Sequence, residues 1–149
     1  MKVIIGTDGS DRAIAAAQRA RTLLAPNAEY LLAMAYEPEE YDGTGFAGPT
    51  LNPAEAADLE REHEIEAESA LTTTATAAGL VDVEHVLLAG PPGPELCRLA
   101  EERDADVVVI GSHGRGPLRR AVLGSVSDHV VRHAPCPTFV VGPSTNGHR

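Results

Sequence analysis

Residues 106–128 read DVVVIGSHGRGPLRRAVLGSVSD, and the fold turns on them. Val107-Val108-Val109-Ile110 is an unbroken β-branched run with no polar alternation, the pattern of a strand covered on both faces. A glycine-rich stretch follows, and helical spacing begins near Ser125 and runs to about residue 133. Strand, bare loop and helix in that order form half of a βαβ unit, and the rest of the chain repeats it.

Working outward, Val3-Ile4-Ile5 is a second buried run, broken by Gly6-Thr7-Asp8-Gly9-Ser10. Ser10 is placed to cap a helix in which Ile14, Ala17, Ala20 or Arg21, and Leu24 give helical spacing and which Pro26-Asn27 ends. YLLAMAY (30–36) reads as a strand. EPEEYDGTGFAGPTLNP (37–53) reads as a long loop, a length that in a compact domain often marks function or mobility. A charged, Ala-rich helix spans 53–78, with Pro53 in its first turn and Gly79 past its end. VDVEHVLL (81–88) alternates, as a strand with one exposed face or at a sheet edge does. Gly90-Pro91-Pro92-Gly93 reads as a turn before a helix over 94–104 with Leu96, Leu99 and Ala100 inward. Thr138–Val141 is the last strand, and 143–149 reads as a frayed tail. Five strands alternating with four helices predict one domain over 1–142: an α/β fold with an open parallel sheet and helices on both faces. In such sheets ligands sit beyond the carboxyl ends of the strands, at the switch point. The loops after the first and fourth strands are therefore where a site is expected.

Composition narrows the function. The chain has 149 residues, 12 Lys and Arg against 22 Asp and Glu, and a net charge of −10. So acidic a chain is a poor binder of nucleic acid or anionic membrane. The five aromatic residues form no stacking platform with interleaved basic residues. There is no apolar run of membrane-spanning length, and MKVIIGTDGS is too soon interrupted for a signal peptide. Cys97 and Cys136 match no metal or CxxC spacing and read as reduced thiols, Cys97 buried, in a cytoplasmic protein.

Against that background, residues 111–133 carry Arg115, Arg119, Arg120 and Arg132 with only Asp128 opposing them. Gly111 and Gly114 leave backbone N–H groups open to an anion. Gly124-Ser125 opens a helix, with Asp128 three residues on in a capping-box-like arrangement, and Ser125 and Ser127 add hydroxyls. A helix start carries unpaired N–H donors and about half a positive charge, which suits phosphate. The alternative is a solvated loop whose arginines pair surface acids.

Gly111-x2-Gly114-x9-Gly124-Ser125 resembles the G-2x-G-9x-G(S/T) ATP-binding motif of the universal stress protein family. Val3–Ser10, Val107–Gly116, Gly124–Ser127 and Ala134-Pro135-Cys136-Pro137 are similar to family wording as well. The resemblance implies a Rossmann-like sheet in the order 3-2-1-4-5, of the adenine nucleotide alpha hydrolase type. It also implies ATP, with Mg²⁺, across the sheet's carboxyl edge. It places Gly111, Gly114, Gly124 and Ser125 at phosphates and ribose, and a backbone contact at Val126. Gly6, Thr7 and Asp8 fall at the nucleoside end, and Met34 against adenine. Ile110, Ser112, His113, Arg115 and Ser127 complete the candidate set. Two departures stand out: Met34 replaces the family's usual valine, and Gly6 stands where many relatives carry proline. A homodimer through Thr138, Phe139, Val140 and Val141 agrees with an apolar edge strand that needs a partner.

Other patterns carry less. Gly43–Gly48 spells GxGxxG, but an acidic loop precedes it and Pro49 follows, so it reads as a flexible lid. No P-loop occurs. His129 and His133 lack a third ligand, and no acid near His113 in sequence orients it as a proton donor. Asp8 is a candidate for Mg²⁺ held through phosphates or for a nucleoside hydrogen bond. The reading that results is an ATP-binding, nucleotide-responsive stress sensor or regulator with protein partners that the sequence does not identify. The alternatives are a slow ATPase or phosphoryl or adenylyl transferase, and a nucleotide-free interaction module.

Overall fold

The computed structural model describes residues 1–37, 52–113 and 123–142. In chain order they form β1 (Lys2–Gly6), α1 (Asp11–Leu23), β2 (Glu29–Tyr36), α2 (Pro53–Ala78), β3 (Glu84–Ala89), α3 (Pro92–Glu102), β4 (Val107–Gly111), α4 (Ser125–His133) and β5 (Thr138–Val141). Every strand pairing is parallel and the order is β3-β2-β1-β4-β5. The chain moves one way from β1 to β2 and the other way to β4, so the switch point lies between β1 and β4.

Strand alternation divides the core into two layers. Ile4, Leu31, Ala33, Val108 and Ile110 meet Leu96, Leu99 and Ala100 of α3 and Val130 of α4. Val3, Ile5, Leu32 and Val109 meet Ala16, Ala17 and Ala20 of α1 and Leu71, Ala75 and Ala78 of α2. The centre of β1 and β4 is wholly buried, which is why those runs carry no polar alternation. In α1 the buried face is Ala13, Ala16, Ala17 and Ala20, while Ile14 is only half-buried, so small residues let this helix lie close to the sheet.

Local chemistry fixes the ends. Asn52 and Glu55 form a reciprocal capping box at the start of α2, with Pro53 in the first turn. Gly79 ends α2 in the left-handed region at φ 64°, where a Cβ is costly. Leu80 N–H then returns to Ala75 O, and Asp82 is itself left-handed at φ 55°. The chain cannot extend through that turn, so β3 begins at Glu84 and not at Val81, which is 83% exposed. Helix α3 begins at Pro92, two residues before the predicted start and inside the predicted turn. Proline fits a first turn because its missing N–H would have been unpaired there. Cys97 is half-buried on the core rim, not enclosed as predicted. The 37–53 loop falls largely, and the GxGxxG stretch, Arg119, Arg120 and the tail wholly, outside the described residues.

Candidate functional site

Beyond the carboxyl ends of β1 and β4 lies a cleft of about 410 Å³, within the size usual for small-ligand sites, ~300–1,000 Å³. From β1 and the turn after it come Gly6, Thr7 and Asp8; from β4 and its turn, Ile110, Gly111 and His113. The start of α4 supplies Gly124, Ser125, Val126 and Ser127. Ten of the candidate residues therefore share one cavity. Gly114 and Arg115 lie outside the described residues.

Met34 does not line the cleft. It packs with Leu32 and Tyr30 against the α1–α2 layer, because alternate residues of a strand face opposite sides of the sheet. Ala33 and Ala35, of the other parity, form the cleft wall instead. Sequence reasoning also missed Ala13, Pro92 and Leu96. The parity of β2 was a usable signal for the alanines; α3 residues reach the cleft only through tertiary packing.

The turn after β1 is held by short hydrogen bonds. Thr7 N–H donates to Ala33 O at 2.9 Å, and Gly9 N–H to Thr7 Oγ1 at 3.0 Å. Ser10 N–H donates to Asp8 Oδ1 at 3.0 Å, an Asx turn that fixes the carboxylate. Ser10 Oγ accepts from Ala13 N–H and caps α1 as predicted. At Gly6 a Cβ would fall 2.9 Å from Leu96 Cδ1 and 3.1 Å from Ile110 Cγ2, so a larger residue there requires these side-chain ends to shift.

Across the cleft, the cap of α4 is Gly124 and not Ser125, which is the first helical residue. No side chain caps this helix, so the capping-box reading with Asp128 fails; Asp128 Oδ1 and Oδ2 instead accept from Arg132 Nε. The first intrahelical bond runs from Asp128 N–H to Gly124 O. The N–H groups of Ser125, Val126 and Ser127 therefore precede it and point out of the helix end. Ser112, though a candidate, does not line the cleft; it is buried and braces it. Its carbonyl accepts from Gly124 N–H at 2.8 Å and from Ser127 Oγ at 2.8 Å. This clamp joins the end of β4 to the start of α4. A Cβ on Gly124 would sit 3.3 Å from Ser112 O and 3.4 Å from His113 Cα. His113 Nδ1 lies 3.1 Å from Ser112 Oγ, while its Nε2 is enclosed without a hydrogen-bond partner among the described residues.

The arrangement can hold an anion at the α4 start and a hydrogen-bond donor at Asp8. Among the described residues no group of three or more His, Cys, Asp or Glu side chains converges to bind a metal directly. No described helix is long and apolar enough to cross a membrane.

Comparison with known proteins gives a consistent result. The model of the Universal stress protein family matches residues 1–142. A universal stress protein of Methanocaldococcus jannaschii is 34% identical, over 94% of this chain and 81% of its own length. One from Thermus aquaticus is also 34% identical, over 93% of this chain and 96% of its own length. Among solved structures, a universal stress protein crystallised in complex with cAMP is 29% identical. It superposes with a TM-score of 0.66, covering 97% of this chain and 98% of that one.

Proposed function

This chain belongs to the universal stress protein family, and on that premise we propose that it binds an adenine nucleotide, ATP with Mg²⁺, in the cleft over β1 and β4. The observation that carries the reading is the uncapped start of α4. Three N–H groups and the Ser125 hydroxyl, which has no partner among the described residues, lie at the cleft where an anion gains most from the helix end. The enclosed His113 Nε2 adds support. An unpaired buried polar atom costs about 1–3 kcal/mol, and in the tautomer where Ser112 Oγ donates to Nδ1 the Nε2–H can donate to a phosphate oxygen. Asp8 offers only acceptors, which suits ribose hydroxyls. A relative was crystallised in complex with cAMP, a ligand with an adenine ring, a ribose and a phosphate, and this supports the reading.

Ala33 and Ala35 leave room for a flat base against the sheet. Mg²⁺ would be held mainly through phosphate oxygens, as one carboxylate is too few for a protein cage. On this reading the protein is a nucleotide-responsive regulator acting as a dimer through β5, an edge strand of the sheet. Isothermal titration of nucleotide-free protein with ATP and Mg²⁺ tests it. Wild type binds; Gly124→Glu, which puts a side chain and a negative charge at the α4 start, does not. Folded wild-type protein that binds no adenine nucleotide overturns the reading.

A further inference from the structure

We propose that Thr74, an α2 residue outside the cleft, is a positioning residue for nucleotide recognition, acting through the Thr7 hydroxyl on the turn that carries Asp8. The proposal rests on the nucleotide reading of the cleft and deepens it. Thr74 is wholly buried. Its Oγ1 lies 2.8 Å from Ala70 O and 3.0 Å from Thr7 Oγ1, and Gly9 N–H lies 3.0 Å from Thr7 Oγ1. Each hydroxyl has one hydrogen, and a carbonyl only accepts. One assignment makes all three contacts hydrogen bonds. Gly9 N–H donates to Thr7, Thr7 donates to Thr74, and Thr74 donates to Ala70 O. The chain of donors has a single direction and ends on the backbone of α2.

Two consequences follow for the site. First, the Thr7 hydroxyl has no hydrogen left for a ligand, although Thr7 lines the cleft. Its role is to hold the N–H of Gly9, which turns the chain at φ 74°, a value glycine adopts freely. Second, Asp8 sits between a residue anchored to α2 and Ser10, whose N–H holds Asp8 Oδ1. Ser10 thus holds the carboxylate itself while Thr7, anchored to Thr74, holds the turn around it, and Thr74 belongs to a helix that contributes no lining residue. Threonine suits this post. Its hydroxyl bonds back to the carbonyl four residues earlier, keeping a lone pair for Thr7, and its methyl fills core space.

Valine and serine separate this role from packing. Thr74→Val keeps the volume and removes the relay; Thr74→Ser keeps the relay and removes a buried methyl. Titration with ATP and Mg²⁺, thermal melting and amide exchange at Gly9 are measured for all three proteins. The expected result is a crossing. Thr74→Val binds ATP roughly fivefold to tenfold more weakly and exchanges faster at Gly9, the scale of one lost hydrogen bond. Thr74→Ser binds as wild type although it melts lower. Affinity that follows melting temperature across the series, or Thr74→Val that binds ATP like wild type, overturns the proposal. Wild type that binds no nucleotide is a different failure, of the reading beneath it. In that case unchanged exchange at Gly9 in Thr74→Val still overturns the relay itself.

Discussion

Ser127→Ala tests whether the α4 hydroxyls serve the fold or the ligand. Ser127 is 2% exposed, and its hydroxyl lies 2.8 Å from Ser112 O and 3.0 Å from Gly124 O. Both partners are acceptors, so its one hydrogen is committed to the clamp. Removing it leaves Ser112 O still bonded to Gly124 N–H, so no acceptor is orphaned. The cost is that of one net hydrogen bond, about 0.5–1.5 kcal/mol. For a chain of this size that lowers the melting temperature by ~2–4 °C per kcal/mol. Ser125→Ala is the counterpart. Ser125 is exposed, is the first residue of α4 and has no side-chain partner among the described residues. Its loss leaves stability within about 0.5 kcal/mol. If the hydroxyl meets a phosphate, it weakens nucleotide binding roughly tenfold, the scale of one hydrogen bond to a charged group. Calorimetric melting and ATP titration of both variants decide the matter. Ser127→Ala that melts like wild type yet loses binding, with Ser125→Ala silent, refutes the assignment.

Three further outcomes are expected. Ala35→Phe fills the cleft wall and abolishes nucleotide binding in a folded protein, whereas Met34→Ala lowers stability by about 1–3 kcal/mol and leaves affinity unchanged, both read by melting and titration. Val140→Lys on β5 converts the proposed dimer to monomer in analytical ultracentrifugation without changing the circular dichroism spectrum. Hydrogen bonds from Arg103 hold the Glu84 carboxyl below its ordinary range, so the pair adds stability above the usual carboxylate range and loses it as pH falls through the folded value. Arg103→Gln therefore moves the Glu84 titration midpoint upward in carbon-detected NMR.

Much of the fold was legible because it rests on periodicity. β1 and β4 are buried on both faces, so their runs need no alternation and stand out. Glycine spacing located the cleft for a related reason. Gly6 and Gly124 sit where a Cβ would crowd neighbours, and such needs leave a mark in the sequence. Capping was less legible. Gly124-Ser125 offers two residues able to stand at a helix start, and the choice between them follows from the Ser112 clamp, a contact between residues 12 apart. The β2 wall of the cleft was least legible. Ala33 and Ala35 look like ordinary strand residues, and their value to the site lies in ending at Cβ. β3 shows the same limit from the other side, since the left-handed turn at Asp82 delays a strand that its alternation placed from Val81.

The hydrogen-bond arithmetic of the cleft narrows what can read a ligand there. Thr7 and Ser127 are the two buried hydroxyls in its lining, and each has spent its hydrogen on protein. Among the described residues, what remains includes the α4 N–H groups, the Ser125 hydroxyl, His113 Nε2 and the Asp8 carboxylate. These fall into an anion-seeking set at α4 and an acceptor at Asp8, on opposite sides of the β1–β4 switch. A ligand satisfying both must carry negative charge at one end and hydroxyl or amino hydrogens at the other. Inorganic phosphate meets only the first requirement and a free nucleoside only the second. On the proposed nucleotide reading, a phosphorylated nucleoside therefore binds more tightly than either fragment, and by more than its added contacts supply, because the hydrogen-bonded turns at Asp8 and Ser112 hold both ends in place before binding.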